Sequence, residues 1–437
     1  MADPATSPDL VRAPGPLTDE SDAITAGEPL SSGLNPFAPG FYDDPYVQYR
    51  TLRETDPVHH SPLGLWFLSR WDDCHQVLRL PGTSVDERNS IVAERNDVLE
   101  AAAAEHGARR SRSILGTDPP DHTRIRRLMS KAFTPRTVAL LETRVAELVE
   151  QRLDAAAAHD GPVDLIAELA FPLPFQVIHE MLGMPPDTDA VELRRLSQTV
   201  TQVLDPVLAM VNTEEIFAAA EALGRLIDDA VAWKRDHPGD DLLTRLIEVE
   251  DGGATLSDEE LRDNITLLYL AGHETTVNLI GNGILALLRH PDQAAALRAD
   301  PALDVAAVEE LLRYDSPVQF SRRIALEPFS IGDIDVAAGE VVLTGLGAAN
   351  RDPAKFGPTA EQLDICRPDA SHHISFGSGV HHCLGAALAR VEGRLTIPRL
   401  LRRFPKIELA TDTVEWNGRM VLRGVAALPV TLGDDAG

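Results

Sequence analysis

Most of the chain repeats its apolar residues every three or four positions, with short alternating stretches between. Tyr46 to Glu54 and Asp72 to Leu80 read as short helices, and Val58 to Arg70 as a hairpin turning at Pro62 to Gly64. Thr134-Pro135 caps a helix carrying Leu140, Leu141, Val145 and Val149. Residues 163–250 read as several helices broken at Pro172, Pro174, Pro185-Pro186, Pro206 and Pro238-Gly239. Ser257-Asp-Glu-Glu260 is a capping box opening a helix to about Arg289. At ~1.5 Å per residue that helix is about 48 Å long, enough to cross the molecule. Residues 324–346 alternate as short strands around turns at Gly332-Asp333 and Gly339, and residues 414–432 read as a last strand-rich piece. The pattern predicts a mainly α protein with small β-sheets.

Three helices carry polar residues where a plain core would not. Ala271-Gly-His-Glu-Thr-Thr276 puts Gly272, Glu274 and Thr275 in the middle of the long apolar helix. One reading is a helix that opens locally at this polar patch. The other is a hydroxyl satisfied on the carbonyl four residues back. Near Asp118-Pro-Pro, whose prolines suit a first helical turn, His122 and Arg126 are four apart and share a face. Glu310 and Arg313 likewise share a face.

The chain has 437 residues and is 44% hydrophobic, ample for a sizeable core. Residues 1–33, rich in Pro, Ala, Ser, Asp and Gly, read as a disordered tail, with one domain over 34–437. Cys74, Cys366 and Cys383 are too few and scattered for a disulfide framework. There is no basic n-region, apolar h-region or run of 18 apolar residues. A cytoplasmic protein with no membrane partner is expected. The net charge of −28 argues against nucleic acid. Two runs oppose that sign: Arg109, Arg110, Arg112, Arg124, Arg126, Arg127, Lys131 and Arg136 against Asp118 and Asp121, and Arg390, Arg394, Arg399, Arg402, Arg403 and Lys406 against Glu392. They suggest a docking site for an acidic partner.

The second run directly follows the most informative stretch, Phe376 to Arg390. Gly377 and Gly379 permit turn geometry closed to other residues. Cys383 stands just before an apolar 3,4-spaced pattern through Leu384, Leu388 and Val391, at a helix N-terminus that favours a thiolate. Gly385 leaves room for a flat group. A lone cysteine so presented suits a single axial thiolate on haem iron. Zinc held by His372, His373, His381, His382 and Cys383 is the remote alternative, since such sites usually pair cysteines.

Phe376, Gly379, His381, Cys383 and Gly385 together resemble the haem-binding signature of the cytochromes P-450, the haem-thiolate monooxygenases, and the soluble bacterial type in particular. The resemblance implies an α-rich triangular prism with the long helix over haem b and Cys383 as the iron's axial ligand. Phe376, Gly377, Gly379, His381 and Gly385 would shape the loop around it. Ala271 and Gly272 would border the oxygen site, with Glu274 and Thr275 as an acid–alcohol pair relaying protons. His122, Arg126 and Arg323, or Arg322 in its place, would bind the haem propionates. Glu310, Arg313 and Arg367 would form a structural network, although Ala360-Glu-Gln-Leu363 lacks the usual proline and phenylalanine.

Residues 81–117 would cover the substrate pocket; the aliphatic stretch Val203 to Val211 reads by default as a core helix, and the resemblance favours a lid over an apolar pocket instead. Leu204, Val207, Leu208, Leu268, Val318, Gln319, Phe320 and Val421 would line an apolar site for a terpenoid, fatty acyl, steroid, aromatic or polyketide substrate. Ferredoxin and its reductase, with NAD(P)H, would deliver electrons for inserting one atom of dioxygen into a C–H bond. A peroxygenase or a non-catalytic haem protein is the alternative; the intact Glu274-Thr275 pair weighs against it. Pro398 should end or kink the helix after Cys383.

Overall fold

The computed structural model describes residues 33–62, 64–91 and 111–435. Residues 1–32 of the expected tail, and 92–110 of the expected pocket cover, lie outside the described residues.

The helix Asp258–Arg289 organises the fold. Its capping box is closed: Ser257 Oγ accepts from Glu260 N at 3.2 Å, and the Glu260 carboxylate accepts from Ser257 N at 2.9 Å. Every residue from Thr276 to Leu287 is buried, because other helices pack on all sides. Missing side chains set the closest approaches. A Cβ on Gly272 would lie 2.7 Å from Ile178 of the helix Pro172–Leu182. One on Gly283 would lie 3.0 Å from Ile397 of the helix Ala386–Arg403.

Among the described residues, five strands form the larger sheet, in spatial order Val58–His60, Leu65–Leu68, Val341–Gly345, Phe320–Ala325 and Thr83–Ser84. Only the second and third run parallel. On one flank Tyr49, Phe67 and Phe320 meet edge-on or tilted, 5.6–6.1 Å between ring centres. A second sheet pairs Pro429–Thr431 with both Val163–Asp164 and Glu408–Leu409. Arg423, buried and stacked 3.5 Å over Trp416, donates to the carbonyls of Tyr42 at 2.6 Å and Asp43 at 3.0 Å, and to Asp315 at 2.9 Å. It binds the late chain to the early chain.

Several expectations need correction. Pro172 and Pro206 open helices rather than break them, since a first-turn N–H has no intrahelical partner to lose. Pro119 and Pro120 stand before the helix Asp121–Ala132, not in its first turn. The helix after Cys383 runs on through Pro398 to Arg403. Its neighbours Ile397, Leu400 and Leu401 are fully buried, and the Arg399 guanidinium donates to the Leu395 carbonyl beside the gap at 3.1 Å. Packing outweighs the lost hydrogen bond there. Residues 414–432 contain one short strand and otherwise isolated bridges, Trp416 with Val425 and Leu422 with Val318.

Candidate active site

The cysteine loop closes when Cys383 N donates to Phe376 O at 2.9 Å. Gly377 at φ 69° and Gly379 at φ 71° are in the left-handed region, as the turn requires. A Cβ on Gly379 would fall 2.5 Å from the Leu78 carbonyl, so the loop rests on the end of the helix Trp71–Arg79. Gly385 caps the helix Ala386–Arg403, and a Cβ there would meet only Cys383 Sγ, at 4.0 Å. Cys383 is exposed, yet enough protein surrounds its sulfur that burial pushes the thiol up. The N–H groups of Gly385 and Ala386, with Arg126 and Arg390, pull it down and do not win. The expected bias toward thiolate is therefore outweighed by desolvation.

Around the cysteine loop stand donors that have no acid bonded to them among the described residues. Both ring nitrogens of buried His122 are unpartnered, and its ring lies 4.2 Å from that of His381. Burial, then His122 and Arg323, push the His381 imidazole down to about 3. Arg126 donates to the His382 carbonyl at 2.7 Å. Arg323 reaches only Ser321 Oγ at 3.0 Å and the Arg322 carbonyl at 2.7 Å, and burial lowers its guanidinium to about 10. Arg322 is spent on Glu87 and the Val85 carbonyl. Three buried or half-buried donors without a carboxylate, beside an open cysteine sulfur, match the two propionates of a haem.

Across the site, Thr275 Oγ1 donates to the Ala271 carbonyl at 2.7 Å, and the helix is continuous. The expected local opening is absent because the hydroxyl satisfies itself on its own helix. Gly272 faces Ile178, while Ala271 is exposed. Glu274 pairs with Arg419 at 3.1 Å. Phe171 lies 5.4 Å from the buried His273 ring, and Arg194 stacks 3.5 Å over that phenylalanine. Neither Arg194 nor Arg419 had a signal in the sequence, since each reaches Glu274's surroundings from a distant loop or helix.

Of the apolar candidates, Leu204 is exposed, and Leu208, Leu268, Val318 and Val421 are half-buried; the side chain of Val207 lies outside the described residues. Gln319 and Phe320 turn inward instead. Gln319 Nε2 donates to Ser316 O at 2.6 Å, and Phe320 packs in the aromatic cluster. The network forms: Arg313 donates bidentately to Glu310 at 2.7 and 2.8 Å, and Arg367 joins at 3.3 Å, all three buried.

The basic runs do not stand as open patches. Arg390 pairs with Glu309, Arg394 with Glu142, Arg399 with Glu150, Arg402 with Asp304, Arg403 with Asp154 and Lys406 with Asp434. Arg112, Arg124, Arg127 and Lys131 are paired too. Arg126 is the exception among the described cations of both runs. Among the described residues no three His, Cys, Asp or Glu side chains converge as a metal site. No described helix is long and apolar enough to cross a membrane.

The family model described as Cytochrome P450 matches residues 90–417. The chain belongs to the cytochrome P450 family. A vitamin D(3) 25-hydroxylase of Pseudonocardia autotrophica is 41% identical over 404 residues, covering 91% of this chain and 96% of its own. The P450 monooxygenase PikC of Streptomyces venezuelae is 40% identical over 415 residues, covering 93% and 95%. The solved structure of the bacillaene polyketide synthase P450 PksS from Bacillus subtilis superimposes with a TM-score of 0.82 at 36% identity, covering 92% of this chain and 100% of that one. This P450 is thus a monooxygenase with haem b as its cofactor, and the α-rich fold is that of its relatives. Bacterial P450s draw electrons from redox partners and act on lipophilic molecules.

Proposed function

We propose that this P450 hydroxylates an unactivated C–H bond in a steroid- or polyketide-like molecule, with electrons passed from NAD(P)H through a reductase and a ferredoxin. The observation that carries the reading is the exposed Cys383 beside His122, Arg126 and Arg323, three donors with no acid bonded to them among the described residues. Haem, once bound, supplies oxygen activation assisted by an electron-rich thiolate. The chain supplies the rest. His122, Arg126 and Arg323 would fix the macrocycle through its carboxylates. Thr275 Oγ1, now donating to Ala271 O, would turn toward the oxygen site, with Glu274 behind it as proton donor. Leu204, Leu208, Leu268, Val318 and Val421 would keep water out and orient the substrate.

The sizes of vitamin D(3) and of the polyketides named for the relatives support a bulky lipophile here. The ferredoxin rests on the family's need for redox partners and on Arg126, an unopposed cation bonded one residue from Cys383. Three unpaired cysteines support a reducing, cytoplasmic setting.

The test uses the purified holoenzyme. Steroids and macrolactones are screened for a low-to-high spin shift, and any hit is turned over with ferredoxin, reductase, NAD(P)H and labelled dioxygen. One labelled oxygen in the product is expected. A product whose new oxygen is unlabelled, and so came from water, overturns the reading. Cys383→Ser should also abolish the red-shifted Soret band of the ferrous–CO complex, and an unchanged band removes Cys383 as ligand.

A further inference from the structure

The loop at 417–420 carries no recognised chemistry, yet three contacts tie it to the roof of the site. Arg419 Nη1 lies 3.1 Å from Glu274 Oε1 of the central helix. The same nitrogen donates to Thr201 Oγ1 at 3.0 Å, in the turn Thr201–Leu204. Next along, Met420 N donates to Asp205 Oδ2 at 2.6 Å. The loop is thus fastened to the 201–205 turn, and one guanidinium is shared between that turn and Glu274. Arg419 and Glu274 are both largely buried, with side chains 13% and 11% exposed, so water screens the pair weakly. The other charged or titratable neighbours are Arg194, whose field acts on Glu274, and His273, whose Nε2 is 3.8 Å from it.

In this conformation neither half of the acid–alcohol pair is ready. Thr275 gives its proton to Ala271 O, and Glu274 paired with a guanidinium is a carboxylate, which accepts protons and has none to give. Two things must change before a proton can pass from Glu274 to Thr275 Oγ1 while the threonine hydroxyl passes its own onward. Thr275 can rotate alone. Glu274 must leave Arg419 and take a proton from solvent, and Arg419 is anchored to the 201–205 turn. That turn carries Val203 and Leu204 with half and 38% of their surfaces exposed, so it is held by few apolar contacts.

We infer that Arg419 is a positioning residue that keeps Glu274 out of the proton path while the 201–205 turn is seated, and frees it when the turn moves. The inference rests on Glu274 being the proton donor proposed above. It makes the order of events part of the reaction: the turn shifts, then protons arrive.

The test needs no substrate. Reduced holoenzyme consumes dioxygen either with two electrons and two protons, giving hydrogen peroxide, or with four of each, giving two waters, and better proton supply favours water. The holoenzyme is run with ferredoxin, reductase and NADPH alone, and peroxide released per NADPH is measured with the solvent isotope effect on NADPH consumption. Arg419→Gln should lower the peroxide fraction at least twofold and shrink the isotope effect, while Arg419→Lys, which keeps a cation on Glu274, should restore wild-type values. An unchanged peroxide fraction in Arg419→Gln, or equal behaviour of the Gln and Lys variants, overturns the inference. The ferrous–CO spectrum of each variant confirms an intact haem site. The double variant Arg419→Gln/Glu274→Gln separates the two readings: if its peroxide fraction equals that of Arg419→Gln alone, Glu274 is no donor and the site assignment itself fails.

Discussion

Arg322 and Arg323 are adjacent on one strand and have opposite fates: Arg322 holds Glu87, while Arg323 is buried with no carboxylate among the described residues. Successive strand residues face opposite sides, so one arginine meets the protein's own acid and the other is buried on the opposite face.

Arg323→Gln should therefore weaken haem retention about 10- to 100-fold, the loss of a charge-assisted hydrogen bond worth roughly 1.5–3 kcal/mol. Arg322→Gln should change it less than about twofold. Haem transfer to apomyoglobin measures both. Equal losses would place the propionate between the two arginines.

Glu310 holds two arginines in a place that water does not reach. Glu310→Gln leaves two buried guanidinium charges short of an anion and should lower stability by about 3–5 kcal/mol. Arg367→Ala should cost less than Arg313→Ala, since its contact with Glu310 is 3.3 Å against 2.7 Å. Urea midpoints decide the order.

Glu392 lies fully buried in the helix after Cys383 with both carboxylate oxygens unpartnered, and burial pushes its carboxyl up to about 8. An unfolded glutamate loses its proton near pH 4.3, so between there and about 8 only the folded chain keeps it. Stability should fall across that window by up to about 1.4 kcal/mol per pH unit. Glu392→Gln should flatten the slope and raise the urea midpoint at pH 8. A parallel slope in the variant would assign the dependence to other groups.

Gly379 and Gly385 should respond differently to alanine. At Gly379 the new Cβ would meet the Leu78 backbone in a left-handed conformation, and the apoprotein itself should lose about 2 kcal/mol or more. At Gly385, φ −85° is ordinary and only Sγ is near, so the apoprotein should be unaffected and the cost should fall on haem binding. Thermal unfolding with and without haem separates the two.

Local patterns were legible because their causes are local. The Ser257 to Glu260 box, the hairpin after Val58 and the glycines of the cysteine loop each depend on a few adjacent residues. The Glu310, Arg313 and Arg367 contact was reached through the resemblance, despite the atypical segment before Arg367. What could not be read was where distant charges meet. Arg390, Arg394, Arg399 and Arg402 form a positive run along the chain, but in space each has an acid on another element. The inward turn of Phe320 depends on aromatic rings contributed by residues 49 and 67. The course through Pro398 depends on burial of its neighbours, which no propensity encodes.

Arg423 has a bearing on how the chain is born. Its guanidinium supplies hydrogen bonds to backbone made some 380 residues earlier, at Tyr42 and Asp43, and the strand just beyond it completes a sheet begun at Val163. A nascent chain still inside the ribosome up to residue 415 lacks both closures. The early segment lacks these bonds until the final stretch emerges to lock it.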